Sequence, residues 1–277
     1  MVGTKKFHIG CQSWQYEDWI SKPGEEPIFY PRGTRPSEML SLYSEIFDTI
    51  EVDSTAYGTP AISTLEGWAA NTPDDFLFSL KVPRAITHEF SLGPQSYGLM
   101  DEFVAAARQL GTKLGVVLIQ LPAVFESTKD NAAALRNFTA RLPSDVSFAV
   151  EFRHPGWFVE WTYEELNEHG AGLALVAGKW VPEELMSSAF GRTTTHFAYV
   201  RLMGIRDLPS FDRIHRDRTA EVERWATQIR SLGASEVFAY VDNYFEGHAP
   251  ATANKLKTAV GTFPADPSQL DPQASLF

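Results

Sequence analysis

The segment Ser147–Phe158, SFAVEFRHPGWF, begins as an apolar run and ends in a glutamate, an arginine and a histidine. Read with period two, Val146, Phe148, Val150 and Phe152 share one face, while Ser147, Ala149, Glu151 and Arg153 share the other. One face is large and apolar; the other is small and then charged. A strand of this kind needs a different neighbour on each side. Comparable strand-like runs occur at Phe7–Cys11, Thr49–Asp53, Phe76–Val82, Leu114–Gln120, Val146–Phe152, Gly172–Val176, Phe197–Leu202 and Val237–Val241.

Helix-like segments separate these runs. RPSEMLSLYSEIF carries a Met39, Leu42, Tyr43, Ile46 stripe, and MDEFVAAARQLGTK closes on Gly111 as a C-cap. DNAAALRNFTARLP, VEWTYEELNEHG and AEVERWATQIRSLG follow the same logic. The segment after the sixth strand, Pro182–Phe190, is short, and that near Ala251–Val260 is weakly marked. Eight alternating strand–helix units over about 260 residues match a TIM (β/α)8 barrel in count and length. An open doubly wound sheet is the competitor, but the small or polar second faces favour the barrel. The expected division is a barrel over 1–262 and a tail over 263–277, PADPSQLDPQASLF after Phe263, whose Pro, Asp and Ser content reads as disordered.

Composition bounds the rest. With 277 residues, 44% hydrophobic and 13% aromatic, the chain can bury a sizeable core. There is no apolar run of membrane-spanning length and no basic-then-apolar leader, so a cytoplasmic protein is expected. The single cysteine, Cys11, excludes an internal disulfide and a Cys-rich metal cluster, and by parity it faces the helices. Net charge is −11, from 24 Lys and Arg against 35 Asp and Glu, which argues against non-specific binding of nucleic acid. P-loop, GxGxxG, GxSxG, HExxH and CxxC patterns are all missing.

Assigning the more apolar side of each strand to the helices leaves an inward set. It holds His8, Gly10, Gln12 and Trp14 from strand one, and Thr49, Glu51, Asp53 and Thr55 from strand two. Ser79 and Lys81, Leu118 and Gln120, and Glu151 and Arg153 follow from strands three to five, then Tyr199 and Arg201 from strand seven and Tyr240 and Asp242 from strand eight. The polar members crowd the C-terminal ends, where the βα-loops of this fold build active sites. The expected substrate is therefore anionic: a phosphate ester, a nucleotide or a piece of nucleic acid. Glu151 is read as the acid/base, with Asp53, Asp242 and His88 assisting. Gln12, Trp14, Tyr57, Lys81, Gln120, Arg153, His154, Arg201 and Asn243 are read as substrate-binding, the arginines through bidentate forks. The opposing interpretation is a self-satisfied ion network inside the barrel. No cofactor is implied. A divalent metal in a phosphodiesterase would have only His88 and His154 near the mouth, with no tight ligand spacing. A glycosidase is weak, because strands four and seven end in Gln120 and Arg201 rather than carboxylates.

With these positions fixed, the chain resembles the YecE-like family (domain of unknown function seventy-two). The matching elements are IGCQSWQYEDW, FYP at Phe29–Pro31, FDTIEVDSTAYGTP, LEGWAANTPDDFLFSLKVPRAITHE, GVVLIQLP, VEFRHPGWF, YVRLMG and EVFAYVDNYFEGHAPATA. The resemblance implies a TIM barrel and no particular reaction. The chain departs from the family pattern at Ala56, where phenylalanine is usual, and at Val176-Ala177-Gly178, where an acidic residue often stands. The tail adds a separate resemblance. QASLF, with Gln273, Leu276 and Phe277, is similar to the pentapeptide by which bacterial replication and repair proteins dock on the DNA sliding clamp, with Ala in place of the commoner Leu at its second position.

Overall fold

The computed structural model describes residues 5–23, 28–192 and 195–270. Eight parallel strands close into a barrel in sequence order: β1 (Lys6–Gln12), β2 (Thr49–Val52), β3 (Leu77–Lys81), β4 (Leu114–Gln120), β5 (Ser147–Glu151), β6 (Gly172–Ala177), β7 (Phe197–Leu202) and β8 (Glu236–Val241). β8 returns to β1 over six paired positions, from Lys6 with Glu236 to Cys11 with Val241. The fold is a (β/α)8 barrel.

The outer layer follows the expected order. Its helices are α1 (Met39–Ile46), α2 (Ile62–Ala70), α3 (Tyr97–Ala107), α4 (Lys129–Thr139), α5 (Glu160–Glu168), α6 (Glu183–Ala189), α7 (Thr219–Ser231), the single turn α8 (Asn243–Glu246) and α9 (Ala249–Val260). No helix among the described residues is long and apolar enough to cross a membrane.

Alternation along the strands builds two separate cores. Inside the barrel lie Val116, Leu118, Ala149, Ala174, Phe197, Tyr199, Phe238 and Tyr240. Between barrel and helices lies a larger apolar layer that contains Ile9, Cys11, Phe148, Val150 and Phe152. The apolar interior acts as a floor beneath the polar upper end. Tyr240 reaches across it, its hydroxyl 2.7 Å from Thr49 Oγ1 and donating to Ser79 Oγ at 2.8 Å.

The β1–β2 seam pairs only at Cys11 with Ile50 and Gln12 with Glu51. Below that point the Tyr43 phenol of α1 stitches the strands. Its oxygen accepts from Cys11 N at 2.8 Å and donates to Thr49 O at 3.0 Å. A side chain at Gly10 would set its Cβ 2.1 Å from Thr49 O and 2.8 Å from the phenol oxygen, so the stitch requires glycine.

The tail differs from its compositional reading as far as Leu270. Asn254 of α9 donates to Ala265 O and accepts from Ala265 N, both at 2.8 Å. A helical turn at Pro267–Leu270 then packs near α1 and buries Leu270. An amide side chain that mimics a backbone partner, followed by one buried leucine, holds a segment whose polar composition alone suggests freedom. Gln273, Leu276 and Phe277 lie outside the described residues.

Candidate active site at the barrel mouth

The inward ends of the strands meet in an ordered ionic lattice. Arg201, at the end of β7 and fully buried, forks onto Glu51 of β2, with Nε to Oε2 at 2.8 Å and Nη2 to Oε1 at 2.7 Å. Its remaining nitrogen, Nη1, donates to Glu151 Oε2. The other oxygen of Glu151 accepts from Gln120 Nε2 and from Arg153 Nε, each at 2.8 Å. Tyr199 donates to Glu51 Oε2 at 2.7 Å from below. Beside this lattice, Lys81 Nζ donates to Asp53 Oδ1 at 3.0 Å as a separate pair.

This geometry sets the acid–base character of each carboxyl group. Burial alone would raise Glu151, but Arg201, Arg153 and Lys81 overrule it and hold it at about 2. Burial likewise opposes ionisation of Asp53, yet Lys81 and Arg201 keep it below its ordinary value. Asp242 behaves in the opposite way. Burial pushes it up to about 6, only partly offset by backbone donors from Tyr244 and Gly204 and by the Arg201 charge, while Asp53 reinforces the rise. His88 is pushed down to about 4, first by burial and then by Arg84, Lys81 and Arg153, so its ring is neutral near pH 7.

Above the lattice is a cavity of about 470 Å³. Gln12, Asp53, Tyr57, Lys81, His88, Gln120, Glu151, Arg153, Arg201 and Asp242 line it, so ten of the thirteen residues singled out from sequence converge there. The other three do not. Trp14 is buried edge-on to Trp68, ring centroids 5.7 Å apart, because Ser13 adopts a left-handed backbone (φ 64°) that ends the β1 alternation at Gln12. His154 turns back to cap its own loop, its Nδ1 accepting from Gly156 N at 3.2 Å. Asn243 begins α8 and is buried beneath the loops, its Oδ1 accepting from Trp19 Nε1 and Ala249 N. Glu151 lines the site with both carboxylate oxygens paired and is held ionised by the cations around it.

Sequence reasoning missed three cations. Arg84 follows β3, Lys179 follows β6 and Arg206 follows β7, and all three line the cavity. With Lys81, Arg153 and Arg201 they make six cationic side chains against the carboxylates Asp53, Glu151 and Asp242. Trp180 adds an aromatic wall under the Arg153 guanidinium, 5.6 Å from ring centroid to Cζ. The only available signal was their position two to four residues past a strand end, where face parity no longer applies. Among the described residues no three His, Cys, Asp or Glu side chains form a group that could hold a metal ion, and His88 and His154 do not converge.

Strand order, lattice and loop sequences together can be set against known proteins. The sequence pattern of the family described as protein of unknown function DUF72 matches residues 8–275. The chain belongs to the DUF72 family. It is similar to the UPF0759 protein YunF of Bacillus subtilis, 29% identical over 271 residues, which covers 90% of this chain and 93% of that one. It is also similar to the UPF0759 protein YecE of Escherichia coli, 28% identical over 163 residues, a match spanning 59% of this chain and only 54% of the relative. A crystal structure of a DUF72 protein from Thermotoga maritima superposes with a TM-score of 0.73 at 25% identity, over 92% of this chain and 99% of that one. A DUF72 protein from Enterococcus faecalis gives 0.69 at 19% identity and supports the fold. The DUF72 description carries no reaction, so chemistry must be argued from the mouth itself.

Proposed function

We propose that this DUF72 protein is an enzyme that binds a phosphate-bearing anion at the mouth of its barrel and uses Asp242 for proton transfer. The observation that carries this reading is an excess of positive charge on an otherwise acidic molecule. Lys81, Arg153 and Arg201 are each paired with carboxylates at the mouth. Arg84, Lys179 and Arg206 face the same cavity with no ion-pair partner among the described residues. A self-neutralised network accounts for the first three and not for the second three. Their field, focused in a concave site, favours an anion even though the net charge is −11.

Asp242 is the group whose acidity suits general acid–base work. With its pKa raised to about 6, both protonation states are populated near neutral pH. Protonated, it can donate to the leaving oxygen of a phosphate ester; ionised, it can accept a proton from attacking water. The lattice below fixes the walls and contributes no proton.

The test has a binding arm and a turnover arm. Calorimetric titration with inorganic phosphate should saturate, and combining Arg84→Ala, Lys179→Ala and Arg206→Ala should weaken binding by about tenfold or more, since each removes a charge-assisted contact. A screen of phosphomonoesters and phosphodiesters should find turnover that Asp242→Asn abolishes. Absence of saturable phosphate binding would end this reading. A second reading, recruitment to a sliding clamp, is supported by Gln273, Leu276 and Phe277 alone. A pull-down with purified clamp, comparing the full chain with one carrying Leu276→Ala and Phe277→Ala, tests it separately.

A further inference from the structure

A second compartment opens beside the charged one, between the loops that follow β2 and β3. Its volume is about 410 Å³. It shares Ala56, Tyr57, Arg84 and His88 with the main cavity, so the two compartments adjoin at these side chains. We propose that this side pocket receives a nucleobase, and that the substrate is a nucleoside phosphate whose phosphate group lies among the cations of the main cavity. The proposal rests on the anion-binding reading above and adds what the anion is attached to.

The chemistry of the lining favours a heteroaromatic ring. Pro83 and Leu99 give the slot apolar walls. Tyr57 stands at the junction with 79% of its surface exposed, an aromatic face with nothing on it. Exposed rings beside a cationic groove are the usual platforms on which bases stack, irrespective of base identity. The polar groups lining the pocket offer both hydrogen-bond senses. Arg84 donates, Glu89 accepts, and Thr59 can do either. His88 keeps a neutral ring whose Nδ1 is 2.9 Å from Thr87 Oγ1, leaving Nε2 as its free nitrogen. An alkyl chain would suit Pro83 and Leu99 and leave these polar groups without partners, whereas a base edge carries matching donors and acceptors.

The loop that forms the pocket is built to hold its shape. Ala85–Glu89 is a wide turn closed by Phe90 N on Ala85 O at 2.9 Å, and the next residues, Ser91 and Leu92, are left-handed with φ of 47° and 62°. Non-glycine residues in that region store strain that the surrounding packing must sustain, a cost typical of ligand-binding loops.

Gly58 supplies the test. Its backbone is extended, and a Cβ built on it meets nothing within 4 Å, so Gly58→Leu adds bulk to the lining of the side pocket without a clash against the barrel. Binding of AMP, GMP, CMP, UMP, ribose 5-phosphate and inorganic phosphate is measured by calorimetry on the wild type, Gly58→Leu and Tyr57→Ala. At least one nucleotide should bind about tenfold or more tighter than ribose 5-phosphate. Both variants should erase that advantage, and Gly58→Leu, which lies outside the lining of the main cavity, should leave ribose 5-phosphate unchanged. If all four nucleotides bind no tighter than ribose 5-phosphate, or if Gly58→Leu preserves the difference, the base pocket is refuted while the anion site stands. If inorganic phosphate and ribose 5-phosphate also fail to bind, the anion site and the base pocket fall together.

Discussion

Two carboxyl groups at the barrel mouth, Glu151 and Asp242, sit in opposite fields, and single substitutions should separate them. Glu151 neutralises buried Arg201 and is held at about 2. Glu151→Gln leaves that guanidinium short of a counter-charge, so it should cost about 3–5 kcal/mol in urea denaturation at pH 7. A variant as stable as the parent would show that the lattice is not what holds the barrel top. The linkage signs also differ. The depressed Glu151 contributes stability above its unfolded value near 4.5 that is lost as pH falls toward 2. The raised Asp242 favours its neutral form, so its contribution is present below about 4 and is lost as pH rises through about 6. Asp242→Asn should therefore raise stability at pH 8, by up to about 3 kcal/mol, while removing turnover. Denaturation midpoints across pH 4–8 check this: parent and variant should converge at the acid end and diverge above 6, and parallel curves would refute the assignment.

At the scale of elements, position in the chain explains both what could be read from sequence and what could not. Alternation predicted the inward face of β5 because Ser147–Glu151 is regular strand, and the same logic placed Gln12, Lys81, Gln120, Arg201 and Asp242 in the mouth. Past the strand ends it held at some positions, as at Arg153, and failed elsewhere. Ser13 turns left-handed and carries Trp14 away, α8 takes Asn243 under the loops, and Arg84, Lys179 and Arg206 enter the site from loops with no period. Pairing was equally hidden, since barrel closure alone brings Arg201 to Glu51, 150 positions away. The loops after β7 and β8 are interlocked in a way no pattern announces. A Cβ on Gly204 would fall 1.8 Å from Tyr244 O, and the Gly204 and Tyr244 amides both support the Asp242 carboxylate. Gly204→Ala must therefore push these loops apart. It should lower the thermal midpoint and, in addition, shift the acid limb of a turnover-versus-pH profile away from about 6, because Asp242 loses a donor. A lower midpoint with the limb unmoved would mean that the contact serves packing only.

For the molecule as a whole, the distribution of charge matters more than its sum. A body of net charge −11 repels anions at long range, while six cations around one concave mouth attract them at short range. Screening acts on these two contributions differently. The Debye length shrinks from about 10 Å at 0.1 M salt to about 3 Å at 1 M, which removes the distant repulsion before the local attraction. Phosphate affinity should therefore change little, or even rise, as sodium chloride goes from very low concentration to about 0.1 M, and should fall only beyond that. Arg206→Glu, which reverses one exposed charge at the rim, should turn this into weak binding that improves steadily with salt, with no loss of thermal stability. Calorimetry over a salt series reads both curves. A wild-type affinity that falls from the lowest salt onward would mean that the acidic body exerts no field at the mouth, and equal curves for the two proteins would mean that the anion binds elsewhere.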